Sequence, residues 1–531
     1  MTKQTRLFLG LDSSTQGLKA VAVDESLRIV CEAGVKFDSD LPAYGTSGGV
    51  HHGSDRLTVT APTLMWVEAL DLLFVRLKEA RFPFSAVAAI SASGQQHGSV
   101  FWKKGAAAKL AGLRPDRSLR DQMADAFSVA ESPIWMDSST TAECRAREAA
   151  LGGAQAVADV TGSRAYERFT GNQIAKVARL QPAAYAETER IGLVSSFVAS
   201  LLAGRYAPID WSDGSGMNLL DIRCKAWDLK SLDLTAPGLE ERLGAPAASH
   251  TVVGPIATAL AERVGFAPDC LVIAATGDNP SSLAGLALRK PGDIAISLGT
   301  SDTVFGTLTE PRPSGREGHI FVNPVDPVGY MAMICYKNGS LTREAVRRDV
   351  KAATWDAYGE LVSQTAPGNG GRIGFYIQEP EITPPILKTG TFRFGPDGQP
   401  VAAFTPAQEA RAVLEGQFLS MRLHGATIGL RPASLLATGG ASVDKAVLRI
   451  LSDVFGVPVF TGDVSNSAGL GAAYRALHGW RCAAAGGWVP FAEVVPAMPG
   501  AVKAVDPDWA AHQVYTQMLP RYAELEKRVT E

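Results

Sequence analysis

Six consecutive residues concentrate groups that can do chemistry: Asp12-Ser13-Ser14-Thr15-Gln16-Gly17, set between the apolar runs 7–11 and 18–23. A turn of this kind at the end of a strand pair offers backbone N–H groups, hydroxyls and one carboxylate. Those groups hold phosphate oxygens and, through Asp12, a hydrated magnesium ion. Ser, Thr and Gly also populate hairpin bends for conformational reasons alone. The layout returns at 293–306, where Gly299-Thr300-Ser301 stands between two further apolar runs. One copy near the start of each half predicts two related domains facing each other across a cleft, each offering a hydroxyl-lined hairpin to one triphosphate tail.

Three other stretches carry reactive or hydrogen-bonding groups. Gly94-Gln95-Gln96-His97-Gly98 follows a short apolar run and places amides and an imidazole at a strand tip, suited to a neutral polar ligand or simply to a surface turn. Thr276-Gly277-Asp278-Asn279-Pro280 ends a fully apolar run, 270–275, and precedes a small-residue helix at 281–288. A carboxylate there sits over the mouth of an α/β sheet, where the helix dipole favours its ionised form; a plain helix cap is the alternative. Thr438-Gly439-Gly440-Ala441-Ser442 lies between a strand and a helix and lets backbone approach a flat or anionic ligand closely.

The elements that must position these groups alternate between strand and helix. Residues 6–37 predict a three-stranded meander, and 61–78 an amphipathic helix with Pro62 in its first turn. Asp137 or Ser138 is expected to cap a helix at 141–151. Arg164 and Arg168 flank Tyr166, residues 191–202 read as a helix, and 340–362 as mostly helical with Trp355 inside. Five prolines make 380–400 irregular. Helices follow at 406–428, 445–455 and 507–529. The helix at 467–477, with Ala468, Gly469, Gly471, Ala472 and Ala473, is small enough to press against a sheet. The whole reads as α/β, duplicated.

A chain of 531 residues exceeds one compact core. With 46% hydrophobic and 20% charged residues it fits an ordinary folded protein, and a net charge of −3 supplies no footprint for nucleic acid or an anionic membrane. The six cysteines stand far apart, without zinc or redox spacing, and read as free thiols in a reducing compartment. No signal-peptide pattern or membrane-length apolar run is present, so the expected location is cytoplasmic.

In their order along the chain, Asp12 to Thr15, Gly94-Gln95-Gln96-His97-Gly98, Trp135-Met136-Asp137, Gly277-Asp278-Asn279, Gly299-Thr300-Ser301 and Thr438-Gly439-Gly440-Ala441 resemble the motif set of the FGGY carbohydrate kinases over nearly the whole sequence. The resemblance implies two duplicated actin/hexokinase/Hsp70-like (ribonuclease H-like) domains around a central cleft. The expected division is 1–288, with the sugar site, the first phosphate loop and the catalytic aspartate, and 289–531, with the second phosphate loop and the nucleoside site. Within the family, Gln95-Gln96-His97-Gly98-Ser99-Val100 and Cys335-Tyr336-Lys337-Asn338-Gly339-Ser340-Leu341 resemble the longer, eukaryotic-type branch that phosphorylates D-xylulose. Glycerol-specific members carry an Arg-Glu pair where Gln96-His97 stand.

The implied roles follow residue by residue. Asp278 is the general base toward the terminal hydroxyl of a ketopentose, with ATP and Mg²⁺ as co-substrate and metal. His97, Arg168, Asp278, Asn279 and Gln96 bind the sugar. Asp12 organises magnesium, and Ser14, Thr15 and Thr300 hold the phosphates. Trp355, Gly439, Gly440, Ala441 and Asp444 border the nucleoside. Ser14 replaces a common glycine, and Asp444 a common asparagine. The alternatives are another acceptor (ribulose, gluconate or glycerol) or a catalytically silent sugar- or nucleotide-binding relative, against which the presence of both Asp12 and Asp278 argues. The expected partners are small molecules only, in a monomer or homodimer. A hinge near 284–292 would let the domains close on their ligands and exclude water. Solution scattering should then show a smaller radius with sugar and nucleotide bound; an unchanged profile at saturation contradicts closure.

Overall fold

Two units divide the chain in the computed structural model, which describes residues 5–462, 466–497 and 500–531. The first comprises Met1–Arg289, Phe321–Gly329 and Asn466–Ala497; the second comprises Lys290–Ile320, Tyr330–Ser465 and Met498–Glu531. The chain thus returns to the first unit twice, which a single division at 288/289 does not anticipate. The reason is physical: the small-residue helix Ser467–Ala485 packs against first-unit strands, far behind it in sequence.

The first unit is built on a sheet of β1 (Leu7–Ser13), β2 (Gly17–Asp24), β3 (Ile29–Lys36), β4 (Val87–Gly94), β5 (Val252–Pro255), β6 (Leu271–Ile273) and β7 (Thr276–Gly277). Its order is β5-β6-β4-β1-β2-β3, with β7 also on β4. Neighbours β1/β2 and β2/β3 are antiparallel, β1/β4 and β4/β6 are parallel, and β6/β5 is antiparallel. Every residue of β1 is buried, as expected of a central strand covered on both faces.

The second unit repeats this plan. Six of the seven strands of its sheet, β8 (Asp293–Leu298), β9 (Asp302–Leu308), β10 (Tyr330–Tyr336), β11 (Ser434–Thr438), β12 (Val459–Thr461) and β13 (Val502–Val505), run in the order β10-β9-β8-β11-β12-β13. The successive pairings are antiparallel, antiparallel, parallel, parallel and antiparallel, the sequence of directions seen from β3 to β5 in the first unit. The duplication inferred from two hydroxyl-rich turns is therefore a duplication of whole sheets.

Several local expectations are corrected. Residues 191–202 are not one helix: Thr188–Leu193 is a strand paired antiparallel with Ser99–Lys103, and the helix is Val194–Ala203. Ladder bonding outcompetes a short apolar run whose period is ambiguous. Thr140, not Asp137 or Ser138, precedes the Thr141–Leu151 helix, without a side-chain cap. Asp137 is a buried hub instead, accepting from Val59 N, Ser139 N and Oγ, Gln173 Nε2 and Lys176 Nζ. Residues 340–362 break into Ser340–Asp349 and Trp355–Ser363, the second capped by Thr354. The proline-rich stretch holds short ladders, Glu381–Ile382 with Pro385–Ile386, and Gly390–Phe394 with Ile373–Ile377.

Glycines let Ser467–Ala485 touch backbone directly. A Cβ at Gly10 of β1 would stand 2.2 Å from the Gly469 carbonyl oxygen, and one at Gly471 would stand 1.7 Å from that of Ser281. Ser281 Oγ donates to Ala468 O at 2.7 Å across the same contact. The helix Asp278–Gly285 is thereby pinned to the centre of the sheet. Gly471→Ala should destabilise the protein by about 1–3 kcal/mol or more, because neither backbone can retreat; a denaturation midpoint equal to wild type contradicts this packing.

In the second unit, His424 lies in the last turn of Pro406–Thr427, between Glu317 (Nδ1 to Oε2, 2.6 Å) and Glu526 (Nε2 to Oε2, 2.9 Å). Burial alone would lower its pKa, but the two carboxylates outweigh it and hold the imidazolium up to about 9. A raised folded-state value stabilises fully below the ordinary 6.5, and that contribution disappears as pH rises through about 9. Wild type should lose more thermal stability than His424→Gln between pH 7 and 9.5; parallel losses would exclude a charged clamp.

Candidate active site

The parallel register of β1, β4 and β7 aligns their C-terminal ends. Asp12 is the neighbour of Ser93, and Ser93 of Thr276; Ser13 pairs with Gly94, and Gly94 with Gly277. Asp278 follows at once as the first residue of its helix, with Gly277 at the N-cap. The topology thus delivers two carboxylates, far apart in sequence, to the same row of strand tips.

Each carboxylate is displaced from its usual range. Burial raises Asp12 to about 6, against the opposing Ser93 hydroxyl and Lys19 charge. Burial raises Asp278 to about 7, and the charge of Asp12 adds to the rise; N–H groups of Asn279 and Gln96 oppose it. Asp278 Oδ1 accepts from Asn279 N at 2.8 Å and from Asn279 Nδ2 at 3.1 Å, and Asn279 Nδ2 also donates to Gln96 Oε1 at 2.9 Å. A carboxylate with a pKa near the working pH can both exist ionised and accept a proton, as a general base must.

Asp12 Oδ1 is buried and has no hydrogen-bond partner among the described residues. Among the described residues no cluster of three or more His, Cys, Asp or Glu forms a metal cage. Mg²⁺ keeps much of its water and takes one or two carboxylates plus substrate phosphates. Asp12 fits as that single protein ligand.

The first hairpin turn is closed from within. Ser14 N and Ser14 Oγ both donate to Gly17 O at 2.9 Å, so the serine that replaces glycine spends its hydroxyl hydrogen on the turn itself. Trp135 Nε1 donates to Thr15 Oγ1 at 2.8 Å. An oxygen that accepts from indole leaves the hydroxyl hydrogen to donate to an anion. Nothing in the turn's own composition pointed to Trp135, a residue 45% exposed; its place in the motif set was the only signal.

His97 adopts a left-handed backbone (φ 68°), stacks on Phe169 with centroids 4.4 Å apart, and donates from Nδ1 to Gly216 O at 2.8 Å. A carbonyl only accepts, so Nδ1 carries the proton and Nε2 is the acceptor. Burial, with the charge of Arg168, pushes the imidazole pKa down to about 3, and the bond to Gly216 only partly opposes this. It is a neutral acceptor at working pH, fitted to a sugar hydroxyl. Arg168 lies over the Tyr166 ring, 5.1 Å from its centroid. Asp210, Asp213 and Arg475 also converge beneath the strand tips: Arg475 Nη2 donates to Ala274 O (2.6 Å) and Ser249 O (3.0 Å), and Asp210 accepts from Thr276 Oγ1 (3.0 Å). Arg475 falls in the helix expected at 467–477, and the sequence alone assigned none of the three a role in the site.

In the second unit, exposed Thr300 stands between β8 and β9, above a buried bidentate pair. Asp302 accepts from Arg343 Nη1 at 2.6 Å and Nη2 at 2.9 Å. Ser340 N donates to Gly299 O at 2.9 Å, and a Cβ at Gly339 would fall 2.7 Å from Thr300 O, so the Lys337-Asn338-Gly339-Ser340 stretch braces this turn. Gly439 has φ 85° and passes over the end of β8, where a Cβ would lie 2.6 Å from Leu298 O. Gly439, Gly440, Ser442 and Val443 line an open groove of about 1040 Å³. Ala441 and Asp444 belong to the same turn. Asp444 Oδ1 caps the Lys445–Phe455 helix, accepting from Ala446 N (2.8 Å) and Val447 N (3.1 Å), which leaves Oδ2 for a ligand. Trp355 is 39% exposed at the start of its helix, with Arg347 over its ring at 5.1 Å. It does not line the groove, but its helix packs on the one that Asp444 caps.

Duplicated sheets of this order, with hydroxyl-rich hairpins, agree with the two-domain actin-like fold expected from the motif set. Residues 126–285 match the N-terminal domain, and residues 294–480 the C-terminal domain, of the FGGY family of carbohydrate kinases. Xylulose kinase of Rattus norvegicus is 53% identical over 99% of this chain and 97% of its own length. Xylulose kinase 2 of Arabidopsis thaliana is 50% identical over 92% and 90%. Among solved structures, a xyloylose kinase from Brucella ovis superposes with TM-score 0.81 at 23% identity, covering 99% of both chains. A ligand-bound xylulose kinase from Lactobacillus acidophilus gives 0.79 at 19%, covering 99% and 98%. The chain belongs to the FGGY family of carbohydrate kinases.

Trp135→Phe, which removes the donor to Thr15, should raise the ATP KM by up to about tenfold while leaving the sugar KM unchanged. Equal changes in both would mean that the indole only packs.

Proposed function

We propose that this enzyme transfers the γ-phosphoryl group of ATP to the terminal hydroxyl of D-xylulose, giving D-xylulose 5-phosphate. The observation that carries the reading is full-length identity of 53% to a curated xylulose kinase, on a chain whose strand tips set Asp12 and Asp278 in one row. His97 Nε2, Arg168, Asn279 and Gln96 bind the neutral ketose through hydrogen bonds. Asp278 removes the hydroxyl proton as the oxygen attacks phosphorus. Thr15 donates to a phosphate oxygen, with Ser14 in the same turn. Thr300 plays the corresponding part in the second unit, where Gly439, Gly440, Ala441, Asp444 and Trp355 serve the nucleoside. Mg²⁺, held by Asp12, supplies charge neutralisation on the transferring phosphates. The domain roles follow: sugar and base in the first unit, nucleoside in the second.

Among the described residues no helix is long and apolar enough to cross a membrane. Gln96-His97 stand where a glycerol-specific relative carries Arg-Glu, and this favours the ketopentose over glycerol.

An ADP-release assay over xylulose, ribulose, gluconate and glycerol, with and without magnesium, tests the reading. D-xylulose with magnesium should give the highest kcat/KM; another preferred acceptor, or no sugar-dependent release, overturns it. Asp278→Ala should cut turnover at least about 10²-fold with nucleotide binding nearly intact. His97→Ala should raise the sugar KM far more than the ATP KM.

A further inference from the structure

Asp213 has no part in the reading above, yet its carboxylate is buried inside the same constellation. It lies on the short helix Trp211–Gly214 and is 1% exposed. Oδ2 accepts from Ser195 Oγ at 2.6 Å. Oδ1 faces the side-chain amide of Gln96, and among the described residues neither Oδ1 nor Gln96 Nε2 completes a hydrogen bond of good geometry. Two buried polar atoms that are drawn together but incompletely joined would be costly in a merely structural core.

The direction of donation along this line is fixed by its far end. Asp278 accepts from Asn279 Nδ2 at 3.1 Å. The second hydrogen on that nitrogen goes to Gln96 Oε1 at 2.9 Å. Gln96 must therefore turn its NH₂ toward residue 213, and an acceptor is required there. Gly277 makes the meeting possible: a Cβ would fall 2.4 Å from Gln96 Cγ and 2.6 Å from Asp213 Oδ1. Burial, then the charge of Asp210, pushes the Asp213 pKa well up, and Asp278 adds to this; the Ser195 hydroxyl and the Gln96 amide oppose it. Arg475, fully buried, lies within the field of both Asp210 and Asp213 and offsets part of their charge.

We propose that Asp213 is a positioning residue, which through Gln96 and Asn279 fixes the orientation in which Asp278 meets the acceptor hydroxyl. This rests on Asp278 being the base.

The test is a cycle of kcat values for Asp213→Leu, Gln96→Leu and the double variant, with Asp213→Asn and wild type assayed in parallel on the same sugar. Asp213→Leu should lower kcat about tenfold or more with the ATP KM unchanged, and Asp213→Asn, which can still turn an oxygen toward Gln96, should recover most of it. In the Gln96→Leu background the Asp213 change should add less than about twofold, because the connection is already cut. Losses that multiply in the double variant, or equal losses for Asn and Leu, overturn the assignment. Should Asp213→Leu fail to fold by thermal melting, Ser195→Ala, which releases Oδ2, takes its place in the same cycle with the same criteria. A wild type without sugar-dependent turnover sinks the kinase reading itself, whereas an active wild type with multiplying losses sinks only the role of Asp213.

Discussion

Two carboxylates held at strand tips on either side of β4, each taken largely out of water, are the constraint on which the first unit depends. Asp12 and Asp278 each resist ionisation because burial strips their hydration, and Asp278 also feels the charge of Asp12. Such an arrangement stores unfavourable electrostatics that a cation and an acceptor hydroxyl can relieve. Among the described residues Asp12 Oδ1 has no hydrogen-bond partner, and His97 presents Nε2 as an acceptor. Burial is costly to the fold and useful to the chemistry for the same reason.

Holding that arrangement requires rigidity, and the structure obtains it by backbone contact. Ser467–Ala485 presses onto β1 and onto the helix that begins with Asp278, with glycines where side chains would collide. The same helix brings Arg475 under the strand tips, where its guanidinium binds the carbonyls of Ala274 and Ser249 and faces Asp210. A late segment of the sequence thus supports the helix that begins with Asp278, the proposed base. In the second unit the Asp302–Arg343 pair and the Gly339 backbone serve the Thr300 turn in a comparable way.

Much of this was legible in the residues. The repeated hydroxyl-rich turn announced duplicated sheets, because only a strand–turn–strand unit uses such a pattern twice at that spacing. The small-residue run at 467–477 announced close packing, because Ala and Gly leave no other role for a buried helix. What stayed hidden depended on partners distant in sequence. Residues 191–193, the end of the strand Thr188–Leu193, looked helical because its pairing with Ser99–Lys103 has no local sign. Asp137 looked like a cap because its donors, Val59, Gln173 and Lys176, come from two other elements. Trp135 over Thr15 and the Asp210–Asp213–Arg475 group are contacts of the same kind. The capping of a helix by Asp444 was nearer the surface of the sequence, since an aspartate before a helix start commonly plays that part.

The pH dependence of kcat/KM for the sugar reports on free enzyme and tests the central claim most directly. A base whose pKa is raised to about 7 must lose activity as pH falls through that value, with a single ionisation. Replacing Asp12 by asparagine, which removes the neighbouring charge, should move the limb of whatever activity remains to lower pH. A wild-type profile that stays flat down to about pH 5, near the ordinary aspartate range, would contradict the account.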